Sequence, residues 1–171
     1  MIMDKNRSAD EIVAIVDKDN HVIGAEPRAL MRAKGLTHRA TYILVFNLKG
    51  DLFVQERTLT KDIYPGYFDV AAGGVVAEGE SYDECAEREL GEEMGIRSVP
   101  LKGLFDFYHT DGRNRVWGRV YECIYDGKIV LQKEEVKSGD FYSIKDILQR
   151  SDHEAFTPDG LHVLRRYLKC G

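Results

Sequence analysis

The sequence predicts a layered α/β or α+β domain, and three observations point there. Short runs rich in β-branched and aromatic residues recur along the chain. At least two segments carry the apolar spacing and end signals of helices, and they fall between those runs. The 171 residues suit one domain with a core of its own, read as a single unit over 1–171.

Taken in order, "EIVAIVD" (11–17) reads as a strand with a turn at Asp19-Asn20. "RALMRAKG" (28–35) reads as a short helical segment closed by Gly35, so 1–37 forms a strand and a short helical extension. "TYILVFN" and "DLFVQER" flank "LKG", which predicts a hairpin, and "YFDVAA" is a further strand running into Gly73-Gly74. Ser81 followed by Glu84 is a capping box, Ala86, Leu90 and Met94 repeat every fourth residue, and Gly95 stands where a helix stops. "LKGLFDFYHT", "RVWGRVYECIY", "KIVLQ" and "DFYSI" read as strands, with turns at Asp111-Gly112 and Asp126-Gly127. A last helix is expected after Thr157-Pro158, with Leu161, Leu164 and Leu168 inward.

Composition excludes several classes. A net charge of −5 argues against a nucleic-acid polymer or an anionic membrane as partner. The start, "MIMDKNRSADE", lacks the apolar stretch of a signal peptide, and no apolar run has the length of a membrane span. Cys85, Cys123 and Cys170 are few and scattered, which suits neither a disulfide framework nor a zinc cluster. The expected location is the cytoplasm.

The stretch "GGVVAEGESYDECAERELGEEMGI" (73–96) holds seven glutamates. On a helix Glu89, Glu92 and Glu93 stand at i, i+3, i+4 and share one face, where like charges oppose helix formation. Arg88, four residues before Glu92, offsets part of this repulsion. A hard divalent cation would offset the rest, since Mg²⁺ favours carboxylate oxygen and shares its shell with phosphates. A merely solvated acidic face is the competing reading, and the surrounding residues weigh against it. From Gly74 the chain reads G-x₅-E-x₇-R-E-U-x-E-E-x-G-U, with U apolar, through Glu80, Arg88, Glu89, Leu90, Glu92, Glu93, Gly95 and Ile96. Average composition gives such agreement by chance roughly once in 10⁹ to 10¹⁰ windows.

This pattern resembles the signature box of the Nudix hydrolases, here at 74–96. The resemblance implies an α/β/α sandwich with a central mixed sheet. It also implies hydrolysis of a phosphoanhydride in a substrate built on a nucleoside diphosphate, with Mg²⁺ or Mn²⁺. By it Glu89, Glu92 and Glu93 are the metal ligands, joined by the carbonyl of Gly74. Glu80 is the outer glutamate, and Arg88 orients the carboxylates. Glu92 and Glu93 are also candidates for general base, and Glu134 and Glu135 for an additional acid outside the box. Arg57 and Lys61 are expected to bind a terminal phosphate of a small nucleotide or diphosphate. Tyr64, Tyr67, Phe68 and Trp117 are candidates for stacking on a base, and His38 for a further ligand. A homodimer is compatible with this reading.

Outside the box, "VDKDNHVIG", "GLTHRATYILVFN", "GDLFVQERTLTKDIYPGYFDV" and "EAFTPDGL" look like the layout of type 1 isopentenyl-diphosphate isomerases. Arg57 and Lys61 resemble their diphosphate-binding pair. Those enzymes carry Cys-Gly-His where this chain has Ala72, Gly73 and Gly74, and Met31 replaces one of their metal histidines. A chain without that thiol lacks the acid-base partner for isomerisation. Of the three readings (hydrolase, isomerase, idle nucleotide sensor), the intact box favours the hydrolase.

Overall fold

The computed structural model describes residues 5–170. The first four residues of the start discussed above, and Gly171, lie outside the described residues. The elements run α1 (Lys5–Asp10), β1 (Ile12–Val16), β2 (Val22–Pro27), α2 (Arg28–Lys34), β3 (His38–Phe46), β4 (Leu52–Arg57), β5 (Phe68–Asp69), α3 (Tyr82–Met94), β6 (Lys102–Thr110), β7 (Arg115–Ile124), β8 (Val136–Tyr142), α4 (Ile144–Ser151) and α5 (Pro158–Cys170). None of the described helices is long and apolar enough to cross a membrane.

The sheet is mixed. β3 lies parallel to β7 from His38↔Val116 to Phe46↔Ile124, and the other strand pairs are antiparallel. The predicted β3–β4 hairpin is splayed: the two strands meet only at Phe46↔Leu52, after which β4 takes β8 and β5 as neighbours. The room beside β3 is filled by the glycine segment, which bridges it at Ile43↔Ala72 and Ala40↔Val75.

Alternation along β3 sets up two cores. Ile43 and Val45 face α3, where they meet Ala86, Leu90 and Met94, all buried as their spacing predicts. Ala40, Tyr42 and Leu44 face the other way, toward Ile147 of α4 and Val163 and Leu164 of α5. Helices thus cover both faces of the sheet, as the sandwich requires.

Three readings of the sequence need correction. "KIVLQ" joins no strand, because Val130 and Gln132 donate their backbone N–H groups to the carbonyls of Met94 and Glu93 at the end of α3 (3.0 and 2.9 Å). Leu168 is exposed, and Val163 takes the inward place beside Leu164. Of "YFDVAA", only Phe68–Asp69 forms a regular strand.

Candidate active site

Helix α3 begins as its sequence dictates. Ser81 Oγ accepts from the Glu84 N–H at 3.1 Å, and Glu84 Oε2 accepts from the Ser81 N–H at 2.9 Å. Asp83 and Glu84 in the first turn suit the positive end of the helix dipole. Glu92 and Glu93 in the last turn oppose it, and that turn contains no basic residue. Two acids placed against the dipole are a local cost of the kind that marks functional positions.

Arg88 stands at the centre of the acids. Its guanidinium donates to both oxygens of Glu80 (2.7 and 2.9 Å), to Glu89 (2.9 Å) and to Glu92 (3.3 Å). These bonds hold the Glu80 carboxyl below its ordinary pKa even though burial pushes the other way. Glu93 turns away from Arg88 and accepts from the backbone N–H of Gly73 at 3.3 Å. It is 5% exposed, and burial, reinforced by neighbouring Glu89, pushes its pKa up to about 8. Burial raises Glu89 in the same sense, with Arg88 pulling against it.

The glycine turn is shaped around this arrangement. A Cβ on Gly74 would sit 2.5 Å from the Glu89 carboxyl, and one on Gly73, at φ +138°, would sit 2.0 Å from the Thr41 carbonyl oxygen. Glu89 therefore lies directly on the backbone. The expected role of Gly74 needs revising, because its carbonyl faces β3 and accepts the Thr41 N–H at 2.9 Å. The Gly73 carbonyl accepts no hydrogen bond from the described residues, which leaves it the better-placed oxygen of the turn.

An all-oxygen set of partly dehydrated carboxylates suits a hard divalent cation. Glu93, buried with a single backbone donor, is the clearest case of a carboxylate short of partners. Glu89, Glu92 and Glu93 are not drawn within 4.8 Å of one another; among the described residues the one cluster that tight is Asp17, Asp19 and His21, at the β1–β2 turn.

Beside the glycine turn opens a cleft whose lining includes several cations. Lys61 reaches it and pairs with Glu135. Arg57 also lines it, but its Nη2 donates to the Ile63 carbonyl at 2.9 Å and its Nη1 lies 3.8 Å from Asp69. Arg28 and Arg32, which the sequence reading passed over, line the same cleft, and Asp62 accepts from both (2.9 and 3.2 Å). Burial alone would raise the pKa of Asp62, but the two arginines hold it well below the carboxylate range. Their i, i+4 spacing on α2 was the available signal.

The two candidate outer acids separate: Glu135 is half-buried against Lys61, whereas Glu134 is exposed. His38 is buried beside the cleft with Nδ1 3.2 Å from the Leu36 carbonyl, and burial depresses its pKa to about 3. Among the aromatics, Tyr64 lines the cleft. Tyr67 packs on Tyr64, Phe68 on Phe156, and Trp117 on Tyr108 at 5.6 Å.

Comparison with known proteins agrees with this geometry. The NUDIX domain family matches residues 36–164. The chain is 42% identical over 158 residues to "Uncharacterized Nudix hydrolase PA4841" of Pseudomonas aeruginosa, covering 92% of this chain and 94% of that protein. It is 43% identical over 168 residues to "Uncharacterized Nudix hydrolase YfcD" of Escherichia coli K12, covering 98% and 92%. Among solved structures, DR0079 from Deinococcus radiodurans superposes with a TM-score of 0.81 at 25% identity, over 91% of this chain and 98% of that one. The NUDIX domain of Shewanella oneidensis NrtR, solved with ADP ribose, shares the fold at a TM-score of 0.64 and 16% identity, over 84% and 98%. Box, sandwich and kinship over nearly the whole chain converge on one assignment: this chain belongs to the Nudix family and is a Nudix-type hydrolase.

Proposed function

We propose that this chain, acting as one domain in the cytoplasm, hydrolyses a phosphoanhydride in nucleoside di- or triphosphates with Mg²⁺, for which Mn²⁺ can substitute. The observation that carries this reading is a juxtaposition. The glycine turn that touches Glu89 and Glu93 lines the same cleft as Arg28, Arg32 and Lys61, so the backbone against which the acids rest borders the cationic space.

Glu89, Glu92 and Glu93, with the Gly73 carbonyl, would hold the cation. When bound, it would neutralise phosphate oxygen and make a water acidic enough to attack at neutral pH. Arg88 donates to both Glu89 and Glu92 and so aligns them, and Glu80 fixes Arg88 in turn. Arg28, Arg32 and Lys61 bind the remaining phosphate charge, pre-positioned by Asp62 and Glu135. Water would add to phosphorus, the bridging P–O bond would break, and the water's proton would pass to a carboxylate; Glu93, bonded to the Gly73 N–H, and Glu135, paired with Lys61, adjoin the cleft lining and are the candidates to take it.

Isomerase chemistry is disfavoured by the cleft itself. Ala72 offers no thiol, and the nearby Cys85 is buried against the Gly74 carbonyl, with its pKa pushed far up by burial. The test is phosphate and pyrophosphate release from a nucleotide panel with Mg²⁺ or Mn²⁺. Turnover is expected in the wild type, and Glu93→Gln is expected to lower kcat at least about a hundredfold with the fold unchanged by circular dichroism. Wild-type rates in that variant, or metal-independent turnover, would overturn the reading.

A further inference from the structure

Besides its cations, the cleft is lined by buried polar side chains that the proposed phosphate chemistry does not use. Gln55 on β4 is 5% exposed; its Nε2 donates to the Ala71 carbonyl at 3.3 Å, while its Oε1 is buried without a partner. Nε of Arg57 is likewise buried and unpartnered. Two buried carboxylates complete the set. Asp69 accepts the Ala71 N–H at 3.1 Å, and Asp159 on α5 accepts from Tyr42 Oη (2.7 Å) and Asn114 Nδ2 (3.3 Å). All of these side chains line the one cleft.

Buried polar atoms are nearly always satisfied, and an interior that leaves an amide oxygen and a guanidinium N–H open beside two acids asks for a polar occupant. An isoprenoid or other apolar chain would offer these groups no hydrogen bond. A group that donates to Gln55 Oε1 and Asp69 and accepts from Arg57 would satisfy them together. Donor and acceptor side by side on a flat edge describe an amino-bearing heterocycle.

We propose that the set formed by Gln55, Arg57, Asp69 and Asp159 is the subsite for the non-phosphate end of the substrate, selecting an amino-substituted nucleobase. The inference rests on the hydrolase reading for the placement of the phosphates at α3. A site built to bond an amino group discriminates against the analogue lacking it, because its own buried groups are then left unpaired.

The test measures binding by equilibrium dialysis with Ca²⁺ in place of Mg²⁺, so that it does not depend on turnover. The probes are two pairs of triphosphates, guanosine with inosine and adenosine with unsubstituted purine riboside, plus dimethylallyl diphosphate. At least one amino-bearing member is expected to bind tenfold or more tightly than its partner, with dimethylallyl diphosphate weakest. Gln55→Leu is expected to shrink that preference below threefold. Equal affinities within both pairs, dimethylallyl diphosphate binding as tightly as nucleotides, or an undiminished preference in a folded Gln55→Leu would overturn the subsite. Should that variant fail to fold, the wild-type pairs decide alone. Selective binding without phosphate release would defeat the hydrolase reading and leave the subsite standing; release with no preference between bases would do the reverse.

Discussion

The two sides of β3 solve different problems with one strand. Toward α3, Ile43 and Val45 support an apolar stripe, and the charges are pushed to the rim, where Arg88 collects them. Toward α5, Tyr42 leads to a buried polar group, Asp159 with Asn114, set among apolar neighbours. The first side gathers its charge cluster from a few residues of one helix and the loop before it. The second buries a hydrogen-bonded polar group, joining Tyr42 of β3 and Asn114 to Asp159 of α5.

The comparison can be broken most severely by removing the apolar support. Leu90→Ala and Leu164→Ala each empty a fully packed position, one per face, and each is expected to cost about 2–5 kcal/mol in denaturant unfolding. Losses below about 1 kcal/mol in either would show that face to be loosely packed.

Acidity sharpens it next. Burial raises Glu93 to about 8 and Asp69 to about 7, while unfolded carboxylates titrate near 4. The folded chain therefore keeps protons that the unfolded chain has released. This stabilisation is complete below pH 4 and is lost as pH rises through 7 and 8. His38, depressed to about 3, acts oppositely but only below about 6.5. Between pH 6.5 and 8 the metal-free protein is expected to lose about 5 °C in Tm. Mn²⁺ is expected to recover the part due to Glu93 and not the part due to Asp69, so Glu93→Gln should remove the metal response and keep a smaller pH slope. A Tm flat across this window would refute both assignments.

The smallest effect separates neighbours. Glu135→Gln loses the Lys61 ion pair and is expected to lower kcat/KM roughly tenfold, whereas exposed Glu134→Gln should stay within about twofold. Equal effects would mean that Lys61 does not organise this rim.

How much was legible follows from how locally each part is encoded. The carboxylate helix was readable because its cap, apolar stripe and acids lie within 81–95 on one periodic element. The arginines of α2 were visible as a helix but not as cleft-lining groups, since their partner Asp62 lies about thirty residues away. Gln55, Asp69 and Asp159 carried no signal at all: each is an ordinary polar residue until three separate elements bring them together. "KIVLQ" shows the same limit, because β-branched residues specify an extended backbone and not its hydrogen-bonding partner.

The docking of that segment on α3 has a mechanical consequence. Gln132 is tied through its N–H to the Glu93 carbonyl, and Glu135 follows three residues later, its own N–H returning to the Gln132 carbonyl at 2.9 Å. The rim glutamate and the helix glutamate therefore hang from a common strut, and displacing one drags the other. Insertions between the end of β7 and Val130 would leave this linkage in register, whereas a single residue added between Gln132 and Glu135 would uncouple the two acids without touching either.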